Sequence, residues 1–251
     1  MEDKAASQAT LPSFRSLVYQ TLTLYRKNAG LVFGYSGYLL IPLVISLLAF
    51  LSFEKETAEL VQFFMNVVVY GFLATWLCIV FITLTPLLVK KSQIHAATVS
   101  QHAWSLLVPY VFVSLIVGLM NLVGFLALLI PGLIVSTLCA FSGSFVVLKK
   151  LHLFDAIRAS VRLVKPRFFA VFFRLYGGIL LFLFCFVTLT VAVEGVDALL
   201  SHTTLLTAIM STPSVFDEVL YRLVEIVLFP LILIYQTLLF LALQSPEETP
   251  T

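Results

Sequence analysis

Four histidines and three cysteines are the residues of this chain best suited to nucleophilic or metal chemistry, and their spacing favours neither. His95, His102, His152 and His202 all fall outside the long apolar runs, and no His-Glu-x-x-His pattern occurs. Cys78, Cys139 and Cys185 lie far apart within apolar runs and read as small packing residues. No glycine-rich phosphate loop is present. The expectation is therefore no catalytic site, no cofactor and no metal ligand set, and no enzyme.

The nearest approach to catalysis is Ala140-Phe141-Ser142-Gly143, which resembles the Ser-Gly of an intramembrane serine protease. A serine nucleophile needs a base within hydrogen-bond reach, and no apolar run supplies a histidine. Small residues for close helix packing are the better reading. The deeper polar residues of the apolar runs are Asn66, Asn121 and Gln236, and Glu225 stands about two turns into the last run. No run carries a charge near its middle, which counts against ion-coupled carriers and proton relays. As hydrogen-bonding glue between helices the three amides need no further role. The alternative is that they line a substrate cavity. Gly118 and Gly124 flank Asn121 and would permit close helix approach.

A basic segment carries the clearest pattern. Phe154, Ile157, Val161 and Val164 form one helical stripe, and Asp155, Arg158, Arg162 and Lys165 form a parallel one, with Arg167 following. Such a helix can lie flat, apolar face in the headgroup region, while Arg158, Arg162, Lys165 and Arg167 meet anionic lipid at about 1 kcal/mol per cation. The bland alternative is that these cations only fix topology.

The elements that position these residues follow from composition. The chain is 61% hydrophobic and 11% charged, where a soluble domain has about 45–50% and about 25%. An all-α polytopic membrane protein is expected. A formal charge of +2 does not suggest nucleic acid. Six runs are apolar enough to span: about 31–53, 61–89, 106–130, 132–148, 168–193 and 219–243. Residues 1–12 read as a disordered tail, 13–243 as a single membrane domain and 244–251 as a cytoplasmic tail. Pro131-Gly132 marks a turn, Pro42 and Pro230 kink helices, and Arg174 snorkels at the end of span five. An interfacial helix is expected at Ser13–Lys27 and another at Ala198–Met210, with Ser214 and Asp217 forming a weak capping box before the last span. Amphipathic segments at 13–27, 92–105 and 151–167, each ahead of two spans, hint at a three-unit repeat.

With the N-terminus inside, thirteen of the fifteen Lys and Arg residues face the cytoplasm, and only Lys55 and Arg222 lie outside. The first 30 residues do not resemble a cleaved signal, so the first span is expected to direct insertion.

Ile130-Pro131-Gly132, followed by Ala156, Ser160 and Leu163 ahead of Lys165, resembles a bacterial membrane-domain family. That family is found fused to some glycerophosphodiester phosphodiesterases and as stand-alone six-span proteins of unknown function. Pro166 replaces the family's usual glycine, and Lys149-Lys150 stands where an acidic residue or glycine is common. No stretch of these 251 residues reads as the phosphodiesterase domain, so its chemistry is not expected to carry over. The resemblance implies about six spans in a bacterial inner membrane.

The sequence thus points first to a non-enzymatic scaffold or membrane-homeostasis protein contacting anionic lipids, and second to a transporter or lipid-handling protein with a polar cavity. Protein partners are unspecified, and a homo-oligomer is left open. The charge bias makes one direct prediction. In a background without native cysteines, Glu56→Cys should react with an impermeant maleimide from outside, and Gln101→Cys should not. The reverse labelling would overturn the orientation.

Overall fold

A computed structural model describes residues 11–92, 95–200 and 215–244. Among these there are helices and no strands. In chain order they are α1 (Phe14–Lys27), α2 (Ala29–Ser36), α3 (Leu40–Ser52), α4 (Lys55–Phe64), α5 (Tyr70–Val89), α6 (Ala96–Ala127), α7 (Leu129–Cys139), α8 (Ser142–Lys149), α9 (Leu153–Val164), α10 (Phe168–Leu200) and α11 (Val215–Gln244). Six helical stretches are long and apolar enough to cross a membrane: Ala29–Ala49, Glu56–Val89, Ala96–Ala127, Leu129–Lys149, Leu153–Ala192 and Val219–Gln244. The all-α, multi-pass membrane architecture expected from composition is the one observed. Residues 1–10 and 245–251 of the expected tails, most of the proposed helix at 198–210, and Ser214 of the capping box lie outside the described residues; α10 itself runs on to Leu200.

Contacts divide the chain into two compact units. One comprises residues 27–77 and 179–232. There α2 passes through a 3₁₀ turn, Gly37–Leu39, into α3. Pro42 is the third residue of α3, and its missing N–H leaves the carbonyl four residues back without an α-helical partner. Trp76 packs against Tyr35 and Tyr38, with ring centroids 6.1 and 5.5 Å apart.

The other unit comprises the described residues of 1–26, 78–178 and 233–251. Its α6–α7 hairpin breaks at Leu128, whose backbone is extended (φ −175°, ψ 160°). This corrects the turn expected at Pro131-Gly132. Pro131 falls in the first turn of α7, where a missing N–H costs nothing. Gly132 is instead needed for packing. A Cβ there would sit 2.3 Å from the Phe125 ring, and one on Gly124 would sit 3.0 Å from the Gly132 Cα.

Two further expectations are revised in this unit. Helix α6 runs unbroken from Ala96 to Ala127, so the middle copy of the supposed repeat is no separate surface helix. Arg174 is half-buried. Its guanidinium donates to the carbonyls of Pro12, Leu11 and Ala170, tying the entry of α1 to α10. Helix α9 buries Ala156, Ile157, Ser160 and Val164 against α6, α7 and α8, while Phe154 is left 62% exposed. The buried ridge is thus rotated from the predicted apolar stripe, because two small residues allow a closer approach than Phe154 and Val161 would.

Helix α1 docks by burying Leu17, Thr21 and Tyr25, with the Phe14 ring edge-on to Tyr235 at 6.3 Å. Tyr235 donates its hydroxyl to the Arg174 carbonyl at 2.6 Å. Gly178 makes room for that ring, since a Cβ there would lie 2.2 Å from it. Gly178→Ala should therefore cost about 1–3 kcal/mol through overpacking, read as a lower melting temperature in detergent. Adding Tyr235→Leu should recover part of the loss. An unchanged melting temperature in the single variant would show that the contact is looser than described.

Candidate functional site

The fourth span is not one helix. Helix α7 ends at Cys139 and α8 starts at Ser142, with Phe141 at φ −104°, ψ 7° between them. Leu129–Lys149 is 21 residues long, so at about 1.5 Å per residue the break falls near mid-span. Backbone groups freed at that depth need partners, because the hydrocarbon offers no water. Two side chains supply them. Ser160, fully buried on α9, accepts from the Phe141 N–H at 3.2 Å and donates to the Leu138 carbonyl at 2.7 Å. Gln236 on α11 donates through Nε2 to the Ala140 carbonyl at 2.8 Å.

A cavity of about 260 Å³ opens beside this break. Its wall takes Tyr110, Ser114 and Asn121 from α6, Ser136 and Cys139 from α7, Ser142 and Gly143 from α8, and Gln236 and Thr237 from α11. Tyr110 is hydrogen-bonded to Cys78 and Ser114. Its ring lies over Gly143, where a Cβ would come within 2.7 Å. Ser136 shares a hydrogen bond with the Tyr176 hydroxyl. On two of the lining residues a buried polar atom has no partner, Asn121 Oδ1 and Ser142 Oγ. Every polar lining group is uncharged: hydroxyls, amides, one thiol and backbone.

A second polar cluster belongs to the other unit. Arg222 donates to Asn66 Oδ1 at 2.7 Å and to Glu225 at 3.0 Å, and its guanidinium lies 4.4 Å from the centroid of the Tyr70 ring. Tyr70 donates its hydroxyl to the other Glu225 oxygen. Asn66 stands in a π-helical turn, Met65–Val69, between α4 and α5. Glu225 is thus paired, and Arg222, read from sequence as an outer-segment cation, is its partner. Both sit in the first two turns of the last span-length stretch, Val219–Gln244.

Compared with known proteins, the chain matches no family model, no curated protein and no solved structure. The functional argument therefore rests on these groups alone.

Of the residues singled out from sequence, Asn121 and Gln236 meet at the cavity, whereas Asn66 and Glu225 belong to the Arg222 cluster. Arg158, Arg162 and Lys165 are exposed along α9 and its continuation, and Arg167 is half-buried. Asp155 and Arg158 approach to 3.8 Å with both side chains mostly exposed, a pair of little energetic weight. Sequence reasoning missed Ser160, Tyr110, Tyr70 and Arg222 as site residues. Ser160 had a signal, since Ala156 and Ser160 are small residues one turn apart on a helix otherwise rich in large ones. Arg222 also had a local signal, with Glu225 three residues on, and Tyr110 had Ser114 four residues on, whereas the Tyr70 partners lie far away in sequence.

Ser160→Ala removes a partner from both the Phe141 N–H and the Leu138 carbonyl. It should destabilise the protein by about 1–3 kcal/mol. Arg158→Gln, on the exposed side of the same helix, should change stability by less than about 0.5 kcal/mol. Equal melting temperatures for the two variants would mean that Ser160 does not hold the break.

Proposed function

We propose that the chain is a non-enzymatic, multi-pass protein of a bacterial plasma membrane that takes a small solute or a lipid group into the cavity beside the fourth-span break. The observation that carries this reading is the cavity itself, which gathers hydroxyls and amides on a partly apolar wall beside a break near the middle of a span-length helical stretch. Irregular backbone at that depth is tolerated where it is buried in protein or lines a cavity, and broken helices recur at the binding sites of carriers. Binding is favoured over catalysis because the polar lining groups are hydroxyls and amides, with no carboxylate or imidazole to act as a base. The bacterial membrane is supported by the Ile130-Pro131-Gly132 and Ala156–Lys165 resemblance, and cytoplasmic termini by the Lys and Arg bias.

A second reading, contact with anionic headgroups, is supported by one observation. Arg158, Arg162 and Lys165 are exposed beside Phe154, which is itself turned outward. This face suits a bilayer surface and is compatible with solute handling.

The native Cys139 offers a test, because it lines the cavity and is only 3% exposed. With Cys78→Ser and Cys185→Ala, N-ethylmaleimide should label Cys139 in native membranes. Labelling should be clearly faster than that of Val80→Cys in a chain lacking the native cysteines, since Val80 is equally buried and does not line the cavity. Equal, negligible rates would mean a sealed cavity and would remove the basis for solute or lipid handling.

A further inference from the structure

We infer that this cavity binds an uncharged, hydroxyl-bearing group, either a free polyol-like solute or the uncharged sugar-like head of a lipid. The inference rests on the handling reading above and specifies its ligand. Three observations lead to it.

The first is unmet hydrogen bonding. Ser142 is 1% exposed, lines the cavity, and has no partner for its hydroxyl. Asn121 lines the same space, and its Oδ1 is likewise buried and unpartnered. Buried polar atoms are nearly always satisfied, so two unmet ones at one cavity mark a place where something else supplies the bonds. A hydroxyl both gives and accepts, so it serves Ser142 and either orientation of the Asn121 amide.

The second is charge. No carboxylate, ammonium, guanidinium or imidazole lines the wall. A charged ligand would be desolvated without a counter-ion, which the interior penalises heavily. The break does not supply the missing charge. The carbonyl end of α7 meets the amide end of α8 within three residues, so the partial charges of the two half-helices oppose one another.

The third is size. About 260 Å³ is the liquid volume of roughly eight or nine waters at ~30 Å³ each, more than a pair of bridging waters needs. Gln236 is already committed to the Ala140 carbonyl, so it shapes the wall and leaves Ser142 and Asn121 as the open sites.

The experiment uses the chain with Cys139 as its only cysteine and follows N-ethylmaleimide labelling in the presence of glucose, xylitol, octyl glucoside, gluconate and glucosamine. Protection grows as one plus the ratio of concentration to dissociation constant, so a bound probe at about ten times that constant slows labelling about tenfold. Protection by glucose or xylitol, with none from gluconate or glucosamine, supports a free-solute site. Protection by octyl glucoside alone supports a lipid head. Ser142→Ala should weaken the protecting probe about three- to tenfold while Cys139 still labels in its absence. Labelling that no uncharged probe slows, or that the charged probes slow equally, overturns the ligand assignment and leaves solute handling standing. So does protection undiminished in both Ser142→Ala and Asn121→Leu, since the probe would then bind elsewhere. Absence of labelling overturns both readings.

Discussion

The constraint that organises the cavity-bearing unit is the helix break at Ala140-Phe141. A break at that depth is stable only if the protein replaces the hydrogen bonds that the helix gives up. Ser160 and Gln236 do so from opposite elements, α9 and α11. Helix α9 must therefore dock closely, which explains Ala156 and Ser160 on its buried ridge. The last span must present Gln236 at the right height, and the neighbouring Thr237 turns inward beside it.

Much of the fold was legible in the sequence because it depends on composition and run length. Six apolar runs, two Lys-Lys pairs ending spans and the helical period at 13–27 and 154–164 are local signals. Lys91 and Lys150 even take the left-handed conformation common just past helix ends, with φ of 51° and 53°. What failed depended on neighbours. Phe154 and Val161 fit an apolar stripe, yet burial followed the small residues, because the partner surface and not the helix alone sets the buried face. Pro131-Gly132 looked like a turn, yet the chain turned at Leu128 and used the proline inside the next helix. Asn121 and Gln236 were recognisable as intramembrane amides. Their meeting at one cavity, and the capture of Asn66 by Arg222, rest on contacts from 115 to 156 residues apart and leave no mark in local spacing.

The Arg222 cluster shows how the other unit accommodates charge. An arginine at a helix centre costs about 2.5–3.5 kcal/mol on insertion scales, and less toward the interface. Here the cation is answered by a carboxylate, an amide oxygen and an aromatic face. Glu225 in turn receives the Tyr70 hydroxyl. These four residues join α11 to the segment around Asn66 and Tyr70.

The residues behind the family resemblance gain a physical meaning from the structure. Gly132 lets α6 and α7 close on one another, Ala156 lets α9 approach, and Ser160 holds the break. All three act on packing and backbone satisfaction. A likeness at these positions would therefore speak for a common hairpin and a common broken span, and would leave the ligand unspecified. The groups that would choose a ligand, Ser142 and Asn121, lie outside the pattern. A chain could keep the Ile130-Pro131-Gly132 and Ala156–Lys165 features and yet bind something different. This follows from the division of labour at the break, where Ser160 and Gln236 build the wall and Ser142 and Asn121 face the space it encloses.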